Sequence, residues 1–262
     1  METLAMKYVV IKCGGSVLDE LTPSFFTSLV ELKNKGYQLV FVHGGGPNID
    51  DMLKLLKVEP KFTNGLRNTD AQTLKIVEMI LSGQTNRKLV SMLQQQHFSS
   101  VGINGSDGDC LQATYINQKE LGFVGEISRT NTKLIELLVN ADYIPVITPI
   151  AITTNGEKLN INADYAAAAL AKALNAQQCL FVTNVDGVMI NGLLATELSN
   201  LEVDTYIESG EISGGMIPKV QSAIKALEKG VESVMIVSGK KPFFEDGKWN
   251  GTRIYRKEQI AQ

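Results

Sequence analysis

Only two histidines, three cysteines and one tryptophan occur among the 262 residues. Cys13, Cys110 and Cys179 are odd in number and far apart, so neither a disulfide framework nor a cysteine-based zinc site is expected, and a reducing, cytoplasmic setting fits. His43 and His97 suggest no metal centre; they read as a strand-end residue packed in place and a helix-end residue. No apolar run approaches the ~20 residues of a membrane helix, and no basic segment followed by an apolar one opens the chain as a signal peptide would. The 25 Lys and Arg stand against 28 Asp and Glu, a net charge of −3, with no basic block, so nucleic acid is not an expected partner. The phosphate loop GxxxxGK(S/T) and the dinucleotide fingerprint GxGxxG are both missing, which sets aside a P-loop enzyme and leaves a nicotinamide dehydrogenase a weak alternative. No repeat, low-complexity tract or linker divides the chain.

What is present is a series of short aliphatic segments alternating with helical patterns. Strands are expected at 7–12, 37–42, near 98–103, and at 143–150, 178–184, 232–239 and 251–255, the last as an edge strand, because aliphatic and β-branched residues dominate them. Helices are expected at 22–34, where Thr22 caps and Pro23 takes the first turn, and at 47–56, about 70–82 and 85–97, 132–140, 162–174 and about 215–228. Residues 111–130 read as hairpins. Continuous apolar strands alternating with helices mean a mainly parallel sheet covered on both faces. The expected fold is therefore α/β, a three-layer αβα sandwich around an open sheet with small β-hairpins. A weak boundary near 175 separates an N-terminal lobe (1–175) from a C-terminal lobe (176–262) of one domain. Ligands of such sheets bind beyond the carboxyl ends of the strands.

Three segments put unusual residues at those ends. "VVIKCGGS" (9–16) closes a strand with Lys12 and continues into Gly14 and Gly15. "FVHGGGPNID" (41–50) passes from strand to helix through Gly44, Gly45 and Gly46, and "INADYAAAAL" (161–170) opens a small-residue helix with Asn162 and Asp164. Glycines allow backbone N–H groups to approach an anion, and a helix N-terminus adds favourable potential. A plain βα turn is the alternative, though it calls for one glycine rather than three. Lys12 would hold a point charge at a fixed place, or simply snorkel from a strand end. Lys219, in the first turn of a helix after "SGG", would be an ordinary surface lysine if taken alone. Asn162 and Asp164 suit an N-cap and a first turn, which leaves Asn160 and the alanine-rich turns unexplained. Arg67 in "TNGLRNTD" can grip a carboxylate through two N–H groups or lie solvated on a loop. Asn184, Asp186 and Gly187 in "FVTNVDGV" make either a plain turn or the edge of a nucleotide pocket.

The segments "IKCGGS", "VHGGGPNID", "NGLRNTD", "LNINADYAAAALAKAL", "TNVDGV" and "ISGGMIPKV" span nearly the whole chain, and in this order the sequence resembles the amino acid kinase family. Within it, "NGLR" after "HGGG", together with "NINAD", is more similar to the branch acting on N-acetyl-L-glutamate than to aspartokinases, glutamate 5-kinases or uridylate kinases. The resemblance implies transfer of the γ-phosphoryl of ATP to the substrate's side-chain carboxylate, giving an acyl phosphate. It implies that Lys12 and Lys219 stabilise the moving charge from opposite sides while Asp164 holds both. Gly15, with Gly14 beside it, would meet the phosphoryl oxygens, Gly45 and Gly46 the reacting carboxylate, and Arg67 and Asn160 the other carboxylate. Asn184, Asp186, Gly187, Glu211, Ile212 and Ser213 would line the ATP pocket, with Asn184 standing where the family pattern has Asp. Mg²⁺ would be carried mainly by the phosphates, with no tightly bound protein-ligated metal. The acceptor is already ionised at pH 7, so alignment and charge neutralisation suffice without a general base. A homodimer is implied. Arginine-sensitive members resemble hexamers joined by an additional N-terminal helix; Met1 to Met6 are too few to make one, so insensitivity to arginine is expected. A kinase for another N-blocked acidic amino acid, or a catalytically silent metabolite or nucleotide sensor, are the alternatives.

Overall fold

The computed structural model describes residues 6–257, so the expectation for the start of the chain falls almost entirely on residues outside the described ones. Strand β1 (Lys7–Cys13) leads through α1 (Pro23–Asn34) to β2 (Tyr37–His43) and α2 (Gly46–Leu55). A hairpin of β3 (Phe62–Thr63) and β4 (Leu66–Arg67) turns the chain into α3 (Ala71–Glu78), which continues through a π-helical turn, Met79–Thr85, into α4 (Asn86–Gln95). Next come β5 (Ser100–Asn104), β6 (Leu111–Tyr115), the single-turn α5 (Gln118–Leu121), β7 (Val124–Thr130) and α6 (Lys133–Asn140). They are followed by β8 (Ile144–Thr148), β9 (Ile150–Ile152), β10 (Lys158–Ile161), α7 (Ala163–Ala173) and β11 (Gln178–Thr183). The remainder is a hairpin of β12 (Met189–Ile190) and β13 (Leu193–Leu194), then β14 (Glu197–Ser199), α8 (Asn200–Glu208) and α9 (Ile217–Glu228). β15 (Ser233–Ser238), a hairpin of β16 (Phe244–Glu245) and β17 (Lys248–Trp249), and β18 (Thr252–Tyr255) complete it.

Eight strands form one sheet in the order β14-β18-β15-β11-β1-β2-β8-β5. All pairs are parallel except β15 with β18, and β1 at the centre joins β2 on one side to β11 on the other. Strands from both expected lobes are thus neighbours. Successive side chains on a strand point to opposite faces, and the sheet is covered on both. Val9, Ile11 and Cys13 of β1 pack with Leu39 and Phe41 of β2 under α1 and α4, where Phe25, Leu29, Leu89 and Leu93 are fully buried. Tyr8 and Val10 pack with Val40 and Val42 under α6, α7, α8 and α9. The alanines of α7, with Ala166, Ala167 and Ala168 at 0% exposure, let that helix lie close over β1. A third cluster joins α2 to α3 and the π turn through Ile49, Leu53, Val77 and Leu81.

The main sheet follows the sequence pattern, while several smaller features depart from it. Residues 111–130 do pair antiparallel as β6 and β7, but they close with β9 and β10 into a small four-stranded barrel. The barrel depends on the parallel β7–β10 pair, a long-range contact that local patterning does not encode. The single strand expected at 143–150 divides at Pro149, whose missing N–H cannot serve a ladder, and the chain leaves the main sheet for the barrel there. The helices expected at 70–82 and 85–97 form one continuous helical path, because the π turn carries Ser82 and Gly83 without a break. The strand at 251–255 is interior rather than an edge, because β14 pairs outside it. Residues 197–208 carry β14 and α8, which the sequence expectations pass over, although Ser199 and Glu202 spell a capping box. Both reciprocal hydrogen bonds of that box are present.

Ser199 is fully buried, so Ser199→Ala should lower the unfolding free energy by about 1 kcal/mol with the denaturant slope unchanged. Urea denaturation checks this; an unchanged midpoint would show that the cap contributes nothing.

Candidate active site

β1 and β2 end level, with Cys13 opposite His43 in the ladder. Their two glycine loops therefore leave the sheet side by side. A Cβ placed on Gly15 would lie 2.7 Å from Gly45 Cα, which leaves room only for backbone. Gly44 N–H donates to Cys13 O at 2.9 Å, and a Cβ on Gly44 would stand 3.5 Å from Gly15 N and 3.9 Å from Ala163 Cβ. The three segments singled out from the sequence thus meet at one point. Space demands glycine at Gly45: a Cβ there would lie 2.5 Å from Leu81 Cδ2 on the π turn.

Strand parity decides where the neighbouring charge goes. Cys13 faces α1 and α4, so Lys12 faces α7, and its Nζ lies 2.7 Å from Asp164 Oδ1. Asn162 caps α7 by accepting from the Asp164 and Tyr165 N–H groups at 2.8 and 3.3 Å, which fixes Asp164 in the first turn. The two side chains are only 18% and 13% exposed, and Lys12 Nζ also lies 5.6 Å over the Phe181 ring. Although the charges touch, the buried Asp164 Oδ1 makes no well-aligned hydrogen bond among the described residues. Removing one partner of so enclosed a pair costs on the order of 3 kcal/mol, because the other charge is left without compensation. Burial pushes the neighbouring Cys13 thiol up to about 12, with Lys12 only partly opposing it, so the thiol stays protonated and is no nucleophile.

Lys219 is placed differently from the sequence expectation. It lies in the first turn of α9, and its Nζ donates to Gly215 O at 3.0 Å, back along its own chain. Asp164 therefore pairs with Lys12 and not with Lys219 among the described residues.

Arg67 ends β4 and is 8% exposed rather than solvated. Its Nη1 donates to Asp50 Oδ1 at 2.6 Å and its Nη2 to Gly46 O at 3.4 Å, with the guanidinium 4.6 Å over the Phe62 ring. Asp50 was not anticipated: the pair crosses from α2 to the β3–β4 hairpin, and nothing in either local pattern links them. Gly44, Gly45, Gly46, Arg67, Asn160 and Ala163 share a cavity of about 170 Å³ with apolar walls from Ile49, Leu81 and Val124. Asn160 donates to Thr69 Oγ1 at 3.2 Å from one edge of it. A larger cleft of about 610 Å³ lies beside Asn68, Asp70 and Gln118, but the glycine loops and Arg67 do not reach it, so the smaller cavity is the chemical candidate.

On the C-terminal side the expected nucleotide residues are mostly engaged. Asn184 is exposed, Asp186 pairs with Lys241, and Glu211 accepts from the Asn191 N–H at 3.5 Å. Ile212 is 2% exposed and its side chain belongs to the core, so only its backbone could face a ligand. Gly187 has φ +151, and a Cβ there would meet Thr252 Oγ1 at 2.6 Å, a packing reason for glycine. Ser213 precedes a 3₁₀ turn at Gly214–Met216 that leads into α9. No group of three or more His, Cys, Asp or Glu side chains gathers to hold a metal ion among the described residues, and no helix there is long and apolar enough to cross a membrane.

His43 is more than a packed strand end. It is fully buried, with Nδ1 3.0 Å from Gly44 O and Nε2 3.3 Å from Thr148 Oγ1 and 3.2 Å from Asn86 Nδ2. Burial lowers its pKa to about 4, the Gly44 hydrogen bond opposing and Arg87 assisting, so the ring is neutral near pH 7.

Residues 7–238 match the amino acid kinase family. The acetylglutamate kinase of Geobacillus stearothermophilus is 50% identical over 252 residues, covering 96% of this chain and 97% of that one. The acetylglutamate kinase of Bacillus velezensis is 46% identical over 253 residues, covering 97% and 98%. Among solved structures, a protein from Streptococcus mutans UA159 aligns at TM-score 0.82 and 32% identity, covering 95% of this chain and 99% of that chain. An N-acetylglutamate synthase from Neisseria gonorrhoeae, complexed with coenzyme A and N-acetyl-glutamate, shares the fold at TM-score 0.76 and 23% identity, covering 97% of this chain and 61% of that one. With the family match running through both glycine loops, the hairpin of Arg67 and the opening of α7, this chain belongs to the amino acid kinase family.

Proposed function

We propose that this protein transfers the γ-phosphoryl of ATP to the side-chain carboxylate of N-acetyl-L-glutamate, giving N-acetyl-L-glutamyl 5-phosphate, the second step of arginine biosynthesis. The observation that carries the reading is the meeting of both glycine loops with the opening of α7 at a cavity bounded by Arg67. The near-full-length identity to acetylglutamate kinases supports the same substrate. The chain acts as one domain, with residues to about 175 on the substrate side and 176–262 on the nucleotide side.

The acceptor carboxylate attacks phosphorus as it stands, since it is ionised at neutral pH. Gly45 and Gly46 N–H groups hold it, and the Arg67 guanidinium and Asn160 take the substrate's other carboxylate. The apolar walls of the cavity receive the acetyl group. Lys12, steadied by Asp164, and the Gly15 N–H meet the oxygens of the transferring group, with Gly14 keeping that approach open. Lys219 meets them from the other side after leaving Gly215 O. Asn184, Asp186, Gly187, Glu211, Ile212 and Ser213 border the nucleotide. Mg²⁺ carried by the ATP phosphates supplies further charge neutralisation. A coupled ADP-release assay with N-acetylglutamate and unacetylated glutamate in parallel tests the reaction. Release with the acetylated substrate alone is expected; ATP binding without turnover on either would favour the sensor reading instead.

A homodimer is part of the proposal. Besides the family analogy, Leu55 and Leu56 at the end of α2 and Met79 on the π turn expose apolar side chains, on elements that pack together. Light scattering over a range of concentrations should give twice the chain mass; a monomer at all concentrations would sink this part.

Lys219→Ala should lower kcat by roughly 10²–10³-fold with little change in KM, because its contact strengthens in the transition state. Steady-state kinetics of the folded variant check this, and near-normal turnover would remove Lys219 from the mechanism. Arg67→Lys should chiefly raise KM for N-acetylglutamate, since an ammonium cannot grip Asp50 and a substrate carboxylate with one planar fork. A loss of ATP affinity with substrate binding intact would place Arg67 in the other pocket.

A further inference from the structure

The buried ring of His43 touches no solvent, so it exchanges no proton with a ligand, and yet it sits directly behind the glycine loop. Its neighbours define its tautomer. Asn86 donates one amide hydrogen to Val146 O at 2.9 Å, and its Oδ1 accepts from Arg87, so the amide nitrogen is the atom facing His43 Nε2. A nitrogen facing a donor must accept, which leaves the ring hydrogen on Nδ1. The carbonyl of Gly44 can only accept, and it independently requires that same hydrogen. Both ends of the ring agree.

The Gly44 carbonyl belongs to the same planar unit as the Gly45 N–H. No cis peptide occurs among the described residues, and in a planar trans peptide the C=O and the following N–H point in opposite directions. Whatever aims the Gly44 oxygen inward at His43 therefore aims the Gly45 N–H outward. The preceding peptide is pinned too, through Gly44 N–H to Cys13 O at 2.9 Å. Behind His43, the end of the π turn and the start of α4 deliver two further side chains to the loop. Asn86 meets the ring, and Thr85 accepts from Asn48 of α2 at 3.3 Å.

We infer that His43 is a positioning residue: by holding the Gly44 carbonyl it aims the Gly45 N–H at the acceptor carboxylate. This rests on the functional reading above for what the N–H meets, but not for the direction in which it points. Thr148 and Asn86 hold the ring, and the ring holds the peptide.

Three substitutions separate this role from simple packing. In His43→Asn the side-chain amide stands where Nδ1 stands and keeps the donor to Gly44. In His43→Gln the amide reaches the Nε2 end instead, and His43→Leu has no donor. In the Gln and Leu variants kcat should fall about 10- to 100-fold, the scale of a misaimed rather than deleted donor, with KM for ATP within about twofold of normal. The Asn variant should recover most of the loss. Amide hydrogen exchange over residues 43–48 should speed up in the Gln and Leu variants and not in the Asn variant. Equal losses in all three, or wild-type kcat in folded Gln and Leu variants, would overturn the inference. If the wild type fails to phosphorylate N-acetylglutamate, the functional reading fails, and the exchange ordering alone then decides the role of His43. Should the variants not fold, the imidazole ¹⁵N spectrum of the wild type at pH 7 decides: the Nδ1–H tautomer is expected, and the Nε2–H tautomer would overturn the proposal.

Discussion

Strands β1 and β2 run parallel at the centre of the sheet and stop at the same level, so the loops that follow them must pass backbone against backbone. The rest of the site depends on that close approach. A side chain on Gly15 would force the loops apart, and one on Gly45 would strike Leu81 and Thr85 of the π turn. With no side chain in the way, Gly15 stands directly against the Gly45 backbone, and Gly44, Gly45 and Gly46 line a small volume beside it. Arg67 and Asn160 border the volume without having to contribute to its floor. A site made of backbone N–H groups needs such a framework, because each amide is only as well aimed as the peptide plane that carries it.

Strand periodicity then sorts the side chains around the loops. Lys12 and Cys13 are neighbours, but one faces α7 and the other the opposite layer, so the charge meets Asp164 and the thiol is sealed in the core. His43 follows the same rule on β2. It shares the face of Leu39 and Phe41 and so meets α4, where Asn86 waits, rather than α7. The enclosed Lys12–Asp164 pair is a costly arrangement relative to an apolar one, and it stands at the end of the central strand.

The continuous path from α3 through the π turn to α4 links these parts. The π turn presses Leu81 against Gly45 and brings Thr85 toward α2, and the first residue of α4, Asn86, meets His43. A buried polar network of this kind depends on its partners, and here Asn86 and Thr148 share the Nε2 acceptor of His43 while Asn86 also donates to Val146 O. The helical wall, the glycine loop and the sheet end therefore form one mechanical unit.

Much of this was legible in the chain itself. The alternation of apolar strands and helices set the layered sheet, and the glycines, Lys12, Asn162 and Asp164 marked the strand ends and the helix opening because each reports a local backbone or charge requirement. Other features were decided only in three dimensions. The barrel of β6, β7, β9 and β10, the Asp50–Arg67 pair and the His43–Asn86 contact join residues far apart in sequence, and no local period records such partners. Lys219 was legible as a charge but not in its direction, since a flexible side chain on a helix start takes whichever acceptor the fold brings near, here Gly215 O. The sequence by itself determined which residue types stand at the carboxyl ends of the strands. Tertiary structure alone decided which of them face one another, because strand parity and level strand ends act only once the strands are side by side.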